Sequence, residues 1–136
     1  MDIDEARRFI RENNRAVFVA RRADGGPSMS PVLVALDDQG RVAISSRETA
    51  YKVKHLRRDP RVWLCCLTSQ FYGRWLLVAG RATIVSLPDA MDGLIDYYRR
   101  ISGEHPDWDD YRQAMERDQR VLIRIAIERV GPQQQG

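Results

Sequence analysis

The basic side chains that could bind an anion are concentrated in one short stretch, residues 47–61. This stretch contains six Lys or Arg and two acidic residues, a net charge of +4, whereas the whole 136-residue chain has a formal net charge of only +3. Both lysines of the chain, Lys52 and Lys54, lie here. Clustered cations suit a phosphate group, although a solvated basic helix face would have the same composition. Residues 47–61 are therefore a candidate anion site, and the surface-face alternative stays open.

A strand followed directly by a helix would position these cations. Residues 42–46 (VAISS) are apolar and β-branched, which predicts a strand. Thr49 is the predicted N-cap of the next helix, which is expected to end at Asp59 because Pro60 follows. A helix that begins just after a strand presents free N–H groups and the positive end of its dipole, and both favour phosphate.

Sequence motifs for acid–base, nucleophilic or metal catalysis are absent. The chain has no Walker loop, no dinucleotide-binding glycine motif, no Gly-x-Ser-x-Gly and no Cys-x-x-Cys. His105 lies among carboxylates, but it is a lone histidine there, and Asp107 and Asp109 suit helix capping. We predict no metal and no catalytic side chain, so that a bound cofactor would supply the chemistry.

Composition limits the partners and the location of the protein. The chain is 43% hydrophobic and 30% charged, with no apolar run long enough to span a membrane. Its N-terminus carries acids rather than a basic region before an apolar one, which predicts a cytoplasmic protein. The sequence pI is about 9.1, but the positive charge is confined to one segment, so neither nucleic acid nor membrane is an expected partner. Cys65 and Cys66 are adjacent and form no disulfide framework.

Hydrophobic periodicity predicts one domain, mainly β (α+β), in which an antiparallel barrel of about six strands has helices at its edges. The predicted helices are 2–13, 49–59, 86–102 and 109–117, and the predicted strands are 16–22, 28–37, 42–46, 62–68, 75–87 and 121–130. Residues 131–136 are expected to be a flexible tail.

Four positions carry specific local expectations. Pro31 predicts an edge strand or a bulge, because proline cannot donate to a sheet ladder. Gly80, in the middle of a long strand, predicts a bulge or bend. Ser86 and Pro88 match the start of a helix. The aromatic loop at residues 71–75 could wall a flat ligand or plug the core.

Several motifs in the same order resemble those of one known superfamily. They are 25–32 (GGPSMSPV), 44–46 (ISS), Lys52, Leu56, 58–61 (RDPR) and 78–82 (VAGRA). They resemble the pyridoxamine 5′-phosphate oxidase-like split β-barrel superfamily over nearly the whole chain. Within it, residues 56–61 and 103–115 are similar to the actinobacterial branch that uses the deazaflavin coenzyme F420.

The resemblance implies a homodimer of six- to seven-stranded antiparallel split β-barrels with a cofactor groove at each side of the interface. Lys52 would hold the cofactor phosphate, residues 44–46 would lie along the ribityl chain and ring, and residues 30–33 would pack on the deazaflavin. Lys54 and Arg57 would face the phosphate or the polyglutamate tail. The full set of implied cofactor-binding residues is Ser30, Pro31, Val32, Leu33, Ile44, Ser45, Ser46, Tyr51, Lys52, Lys54, Arg57 and Trp75.

Two departures from the family pattern bear on the cofactor. Oxidases of this superfamily that use FMN usually have Arg directly before the phosphate-binding Lys, where this chain has Tyr51, which favours coenzyme F420. Pro31 replaces a residue that is polar in some relatives, so it cannot donate a hydrogen bond to the ring.

The resemblance therefore implies a coenzyme F420-dependent oxidoreductase that reduces an unsaturated or conjugated small molecule. The resemblance does not identify the proton donor, for which Tyr72 and a water are the candidates. Two alternatives stay open: an FMN-dependent oxidase or flavin reductase, and a non-catalytic protein that binds a deazaflavin or a tetrapyrrole-like ligand.

Overall fold

A computed structural model describes residues 2–135, with seven strands and four helices in that part of the chain. The helices are α1 (Ile3–Glu12), α2 (Tyr51–Arg58), α3 (Met91–Ser102) and α4 (Trp108–Arg117). The strands are β1 (Arg15–Arg21), β2 (Pro27–Leu33), β3 (Ala35–Leu36), β4 (Val42–Arg47), β5 (Arg61–Leu67), β6 (Arg74–Val85) and β7 (Arg120–Gln135).

All seven strands form one antiparallel sheet in the order β2-β1-β5-β6-β7-β4-β3. Strands β2 and β3 are at opposite edges of this sheet, yet a single residue, Val34, separates them in the chain. The sheet must therefore curl until its two edges approach each other, which makes it a split barrel. The predicted fold class is confirmed. The predicted strand 28–37 is divided at Val34, because the chain passes there from one sheet edge to the other.

Two hydrophobic clusters stabilise this arrangement. The barrel interior contains fully buried side chains such as Phe18, Leu64 and Ile123, and α1 closes one end with Phe9 and Ile10. The smaller cluster lies between the outer side of β4 and β7 and helices α3 and α4; its buried members are Ala43, Ala90, Leu94, Ile95, Tyr111 and Leu122. Each side of the β4–β7 pair is thus covered, and the groove described below opens at its end.

Gly80 marks a bend in β6, as predicted. The register of the β6–β7 pair shifts between Ala79 and Gly80, with a second, unpredicted shift between Leu76 and Val78. A Cβ atom at position 80 would lie 2.2 Å from the carbonyl oxygen of Ala126. Glycine is required there because the two backbones approach too closely for any side chain.

The predicted starts of two helices are wrong. The N-cap of α2 is Ala50, which has no capping side chain, rather than Thr49. Helix α3 begins at Met91, because residues 86–90 form a turn in which the Ala90 N–H donates to the Ser86 carbonyl at 3.0 Å. In contrast, Asp107 does cap α4, and its side chain accepts from the Asp110 N–H.

The flexibility predicted for residues 131–136 stays a prediction. Strand β7 continues to Gln135, because β6 is long enough to pair with it as far as Arg74. Gly136 lies outside the described residues.

Candidate functional site

The groove lies where the two edges of the curled sheet meet. Strand β3 pairs with β4 only at Val42 and Ala43, so it does not cover residues 44–46 of β4 on that side. The opposite edge of the sheet is β2. Tyr97 of α3 spans the two edges: its hydroxyl donates to the Leu33 carbonyl at 2.9 Å, and it also interacts with the backbone of Ser45. A ligand with hydrogen-bonding groups could pair with the uncovered backbone of β4.

Tyr97 remains a neutral donor at this position. Burial raises the pKa of its phenol, and the Ser45 backbone and the charge of Arg120 oppose that rise. The hydroxyl must be protonated to donate its hydrogen bond to the Leu33 carbonyl. Tyr97 therefore fixes the distance between β2 and β4, a role that the sequence did not indicate.

The predicted site residues of β4 face two directions. Ile44 and Ser46 are buried and point into the barrel, whereas Ser45 lies on the side of α3. The side chains of Ile44 and Ser46 are therefore enclosed in the barrel. Their predicted contribution to cofactor binding has to come from backbone atoms along the uncovered edge.

The predicted residues of β2 alternate in the same way. Ser30 and Val32 are half-buried, and Pro31 and Leu33 are exposed on the other face. Pro31 lies on an edge strand, as predicted, where its missing N–H removes no ladder hydrogen bond.

Lys52 lies in the first turn of α2, a helix start with no side-chain cap. Its ammonium is 5.8 Å from the centroid of the Phe18 ring, and within residues 2–135 it has no ion-pair partner. Burial, and then the charge of Arg120, lower the pKa of Lys52 from its usual value. An anion bound at the free N–H groups of this turn would offset both effects.

The other predicted basic residues of α2 have different partners. Lys54 lies 5.5 Å from the centroid of the Tyr51 ring, and that ring stacks on His55. Arg57 is ion-paired with Glu48 at 2.5 Å. Lys54 and Arg57 therefore have contacts different from those of Lys52. Arg57 could bind a cofactor only if its ion pair with Glu48 opened.

Trp75 does not join the site within its own chain. It pairs with Leu67 of β5 and with Gln134 near the end of β7, whereas β4 pairs with residues 120–125 of β7. Its predicted contact with a cofactor remains a prediction that depends on a second subunit. Phe71 and Tyr72 of the same loop are exposed.

Arg47 belongs to the basic stretch that the sequence indicated, but the arginine opposite it, Arg120, was not indicated by the sequence. Arg47 ends β4, Arg120 begins β7, and the strand register places them directly opposite each other. The buried Nε atom of Arg120 has no hydrogen-bond partner in the described part of the chain. The sequence could not indicate that Arg47 and Arg120 face each other, because they are far apart in the chain and only the strand register brings them together.

His105 packs against three aromatic side chains. Its ring packs among Tyr98, Trp108 and Tyr111, with centroid separations of 5.0, 5.6 and 5.5 Å. Within residues 2–135, no group of three or more His, Cys, Asp or Glu side chains could hold a metal ion. The same residues contain no helix that is long and apolar enough to cross a membrane.

Comparison with known proteins agrees with this geometry. The sequence profile described as pyridoxamine 5′-phosphate oxidase matches residues 3–134. The chain belongs to the pyridoxamine 5′-phosphate oxidase family. The predicted superfamily is thereby confirmed, and the match spans almost every element of the barrel.

One curated protein resembles this chain over most of its length. It is the F420H(2)-dependent biliverdin reductase of Mycobacterium tuberculosis (strain CDC 1551 / Oshkosh), 30% identical over 128 residues, which are 93% of this chain and 85% of that protein. This match supports the predicted likeness to the coenzyme F420 branch of the family.

Solved structures confirm the split barrel. A conserved hypothetical protein of Mycobacterium tuberculosis superposes with a TM-score of 0.78 at 24% identity, over 96% of this chain and 82% of that one. A structure described as an F420 reductase gives a TM-score of 0.71 at 18% identity, over 91% of this chain and 94% of that one. At these identities the likeness establishes the fold.

Proposed function

We propose that this protein is a coenzyme F420-dependent reductase of a conjugated small molecule. The observation that carries the proposal is Lys52, a half-buried cation without an anionic partner among residues 2–135, at an uncapped helix start next to the uncovered edge of β4. The curated relative that is named for coenzyme F420 supports the same cofactor.

The residues of the groove fit a phosphate-bearing deazaflavin. The N–H groups at the start of α2 and the Lys52 ammonium suit its phosphodiester. The uncovered backbone of residues 44–46 suits the polar edge of a ring or a ribityl chain, and exposed Leu33 suits its apolar face. Tyr51 takes the place of the arginine that usually precedes the phosphate-binding lysine in FMN-using oxidases, and this supports coenzyme F420 as the cofactor.

Catalysis by this site would depend on how the protein orients the bound cofactor. When bound, reduced coenzyme F420 supplies a hydride from C5 of its deazaflavin ring. Lys52 would anchor the phosphate end, and the β4 edge, held at a fixed distance from β2 by Tyr97, would set the position of the ring. Holding reactants in one geometry lowers the barrier without any acid–base group of the protein.

A tetrapyrrole is the first acceptor to test. The curated relative is named for biliverdin, a flat conjugated molecule of the class that the groove was expected to accept. We extend that acceptor class to this protein as part of the proposal.

The decisive experiment is a fluorescence titration with coenzyme F420 and, in parallel, with FMN. Trp63, Trp75 and Trp108 provide the signal. We expect coenzyme F420 to bind more tightly than FMN, and the reduced coenzyme to be oxidised when biliverdin is added.

Other outcomes of this titration would redirect the proposal. Preference for FMN would indicate the FMN-dependent alternative. Tight binding of coenzyme F420 without turnover of any conjugated acceptor would indicate a carrier protein. Binding of neither cofactor would contradict the proposal.

We also propose that the protein is a homodimer formed through the outer face of β1, β5 and β6. This face is apolar and only half-buried in the single chain; its members are Val17, Val19, Trp63, Cys65, Leu67, Trp75, Leu77 and Ala79. Neighbouring Met29 is 65% exposed, and Leu33 is 46% exposed. An apolar face that continues across four strands is typical of a surface covered by a partner.

The dimer has a direct test in Val17→Lys, a charge placed near the middle of that face. We expect sedimentation velocity to show a dimer for the wild type and a monomer for the variant, because an unpaired buried charge opposes association. Gln39→Lys, which adds a charge at an exposed turn outside that face, is the control. A monomeric wild type at micromolar concentration would overturn the proposed interface.

A further inference from the structure

Two arginines face each other across the β4–β7 ladder with no acid between them. Arg47 and Arg120 are directly opposite in the register, so their Cβ atoms lie on the same face at roughly 4.5–5.5 Å. Like charges in this relation destabilise a sheet. Neither arginine has an ion pair within residues 2–135. The pair is therefore unfavourable in the free protein and would become favourable around an anion.

Arg120 also has an unsatisfied donor. Its Nε atom is buried and lacks a hydrogen-bond partner among the described residues. A buried donor without an acceptor costs free energy that a bound oxyanion would recover. The side chain lines a pocket of about 450 Å³ that also includes Glu48 and Glu116. Glu48 is neutralised by Arg57, and Glu116 is not within ion-pair distance of Arg120.

The backbone connects Arg120 to the start of α2. The N–H of Glu48 donates to the carbonyl of Gln119 at 2.9 Å, so the residue before Arg120 is held against the turn that leads to Lys52. Burial, and after it the nearby charge of Arg120, lower the pKa of Lys52. Three cations, Arg47, Lys52 and Arg120, thus surround the β4–α2 turn.

We propose that Arg120 is a phosphate ligand of the cofactor and, with Arg47 opposite it, completes the oxyanion site that begins at Lys52. This inference rests on the proposed function, because it concerns the same bound cofactor. Two sources offer the required chemistry, the phosphodiester of coenzyme F420 and the phosphate monoester of FMN. The guanidinium of Arg120 supplies directed donors that the single ammonium of Lys52 lacks.

The test compares Arg120→Gln with Arg124→Gln. Arg124 is a close match: it lies four residues along β7 on the same face, and its buried Nε also lacks a partner among the described residues. It differs in facing the uncharged Ala43 across β4. Dissociation constants are measured by tryptophan quenching for coenzyme F420, for its phosphate-free deazaflavin nucleoside, and for the FMN and riboflavin pair.

We expect Arg120→Gln to weaken the binding of coenzyme F420 by ~10- to 100-fold, the effect of losing one charge-assisted hydrogen bond. Binding of the phosphate-free nucleoside should be unchanged in the same variant. Arg124→Gln should leave both affinities unchanged. Arg120→Lys should restore part of the lost affinity, since it keeps the charge without the directed donors.

The other outcomes separate the failure of this inference from the failure of the proposed function. Unchanged affinity of Arg120→Gln for coenzyme F420 would leave the proposed function standing without Arg120. An equal loss for the cofactor and its phosphate-free nucleoside would indicate a structural role. Weaker binding of FMN, but not of riboflavin, by Arg120→Gln, together with no binding of coenzyme F420 by the wild type, would retain Arg120 as a phosphate ligand and reject the proposed cofactor. Binding of no phosphate-bearing cofactor by the wild type would reject both.

Discussion

Replacing Lys52 with Met is expected to weaken the binding of coenzyme F420 by ~10- to 100-fold, because the variant loses the charge that faces the phosphate. Methionine keeps a long apolar side chain against the Phe18 ring, where the lysine stem now lies. The measurement is the dissociation constant from tryptophan quenching, with circular dichroism to establish that the fold is retained.

The same substitution is expected to leave the free protein as stable as the wild type or more stable. Burial and the charge of Arg120 lower the pKa of Lys52, so the folded chain binds this proton less tightly than the unfolded chain. The charged lysine therefore opposes folding below its folded pKa, and that cost is removed as the pH rises from the folded pKa towards the usual value of 10.5. A bound anion would reverse the effect.

Lys54→Met is the matched control for Lys52→Met. Lys54 is exposed and lies over the Tyr51 ring, away from the uncovered edge of β4. It should lose much less affinity, because an exposed cation in water contributes little. Equal losses in the two variants would show that the helix attracts the cofactor only through its general charge. That outcome would remove the specific role of Lys52.

The elements that the sequence predicted well are those determined by neighbouring residues. Alternating or continuous apolar stretches indicated the strands, and Asp107 was correctly placed at the start of α4 because capping depends on a few adjacent positions. The irregularity at Gly80 could be predicted from the sequence, since a glycine inside a long strand usually marks a bulge or a close approach of two backbones. The basic stretch around Lys52 could be read from the sequence because charge density along the chain is a local property, whereas the role of Lys52 in binding stays a prediction.

The features that the sequence could not supply depend on contacts between distant segments. Arg47 faces Arg120 only because β4 and β7 pair in one register, and a shift of a single residue would place them on different faces. Tyr97 reaches Leu33 only because α3 lies over the gap between the sheet edges. The length of β7 depended on the length of its partner β6, not on its own polar composition. Of the cations in the proposed anion site, the sequence therefore indicated Arg47 and Lys52 but not Arg120.

Gly80→Ala is expected to reduce the free energy of unfolding by ~3 kcal/mol, the upper part of the range for forced overpacking. The new Cβ would lie 2.2 Å from the carbonyl oxygen of Ala126 and 3.0 Å from a methyl group of Ile125. Both neighbours belong to β7, so relief requires β6 and β7 to separate where the barrel bends. Urea denaturation of the wild type and the variant measures the difference.

Gly93→Ala separates this backbone clash from ordinary crowding. Its new Cβ would also be close to a neighbour, at 2.4 Å, but that neighbour is Cδ2 of Leu122, the end of a flexible side chain. Alanine is also the better helix former in α3, so we expect a net loss of only about 1 kcal/mol. Similar losses in the two variants would mean that the β6–β7 bend adapts as readily as a leucine side chain does. The bend would then be a tolerated irregularity rather than a requirement for closing the barrel.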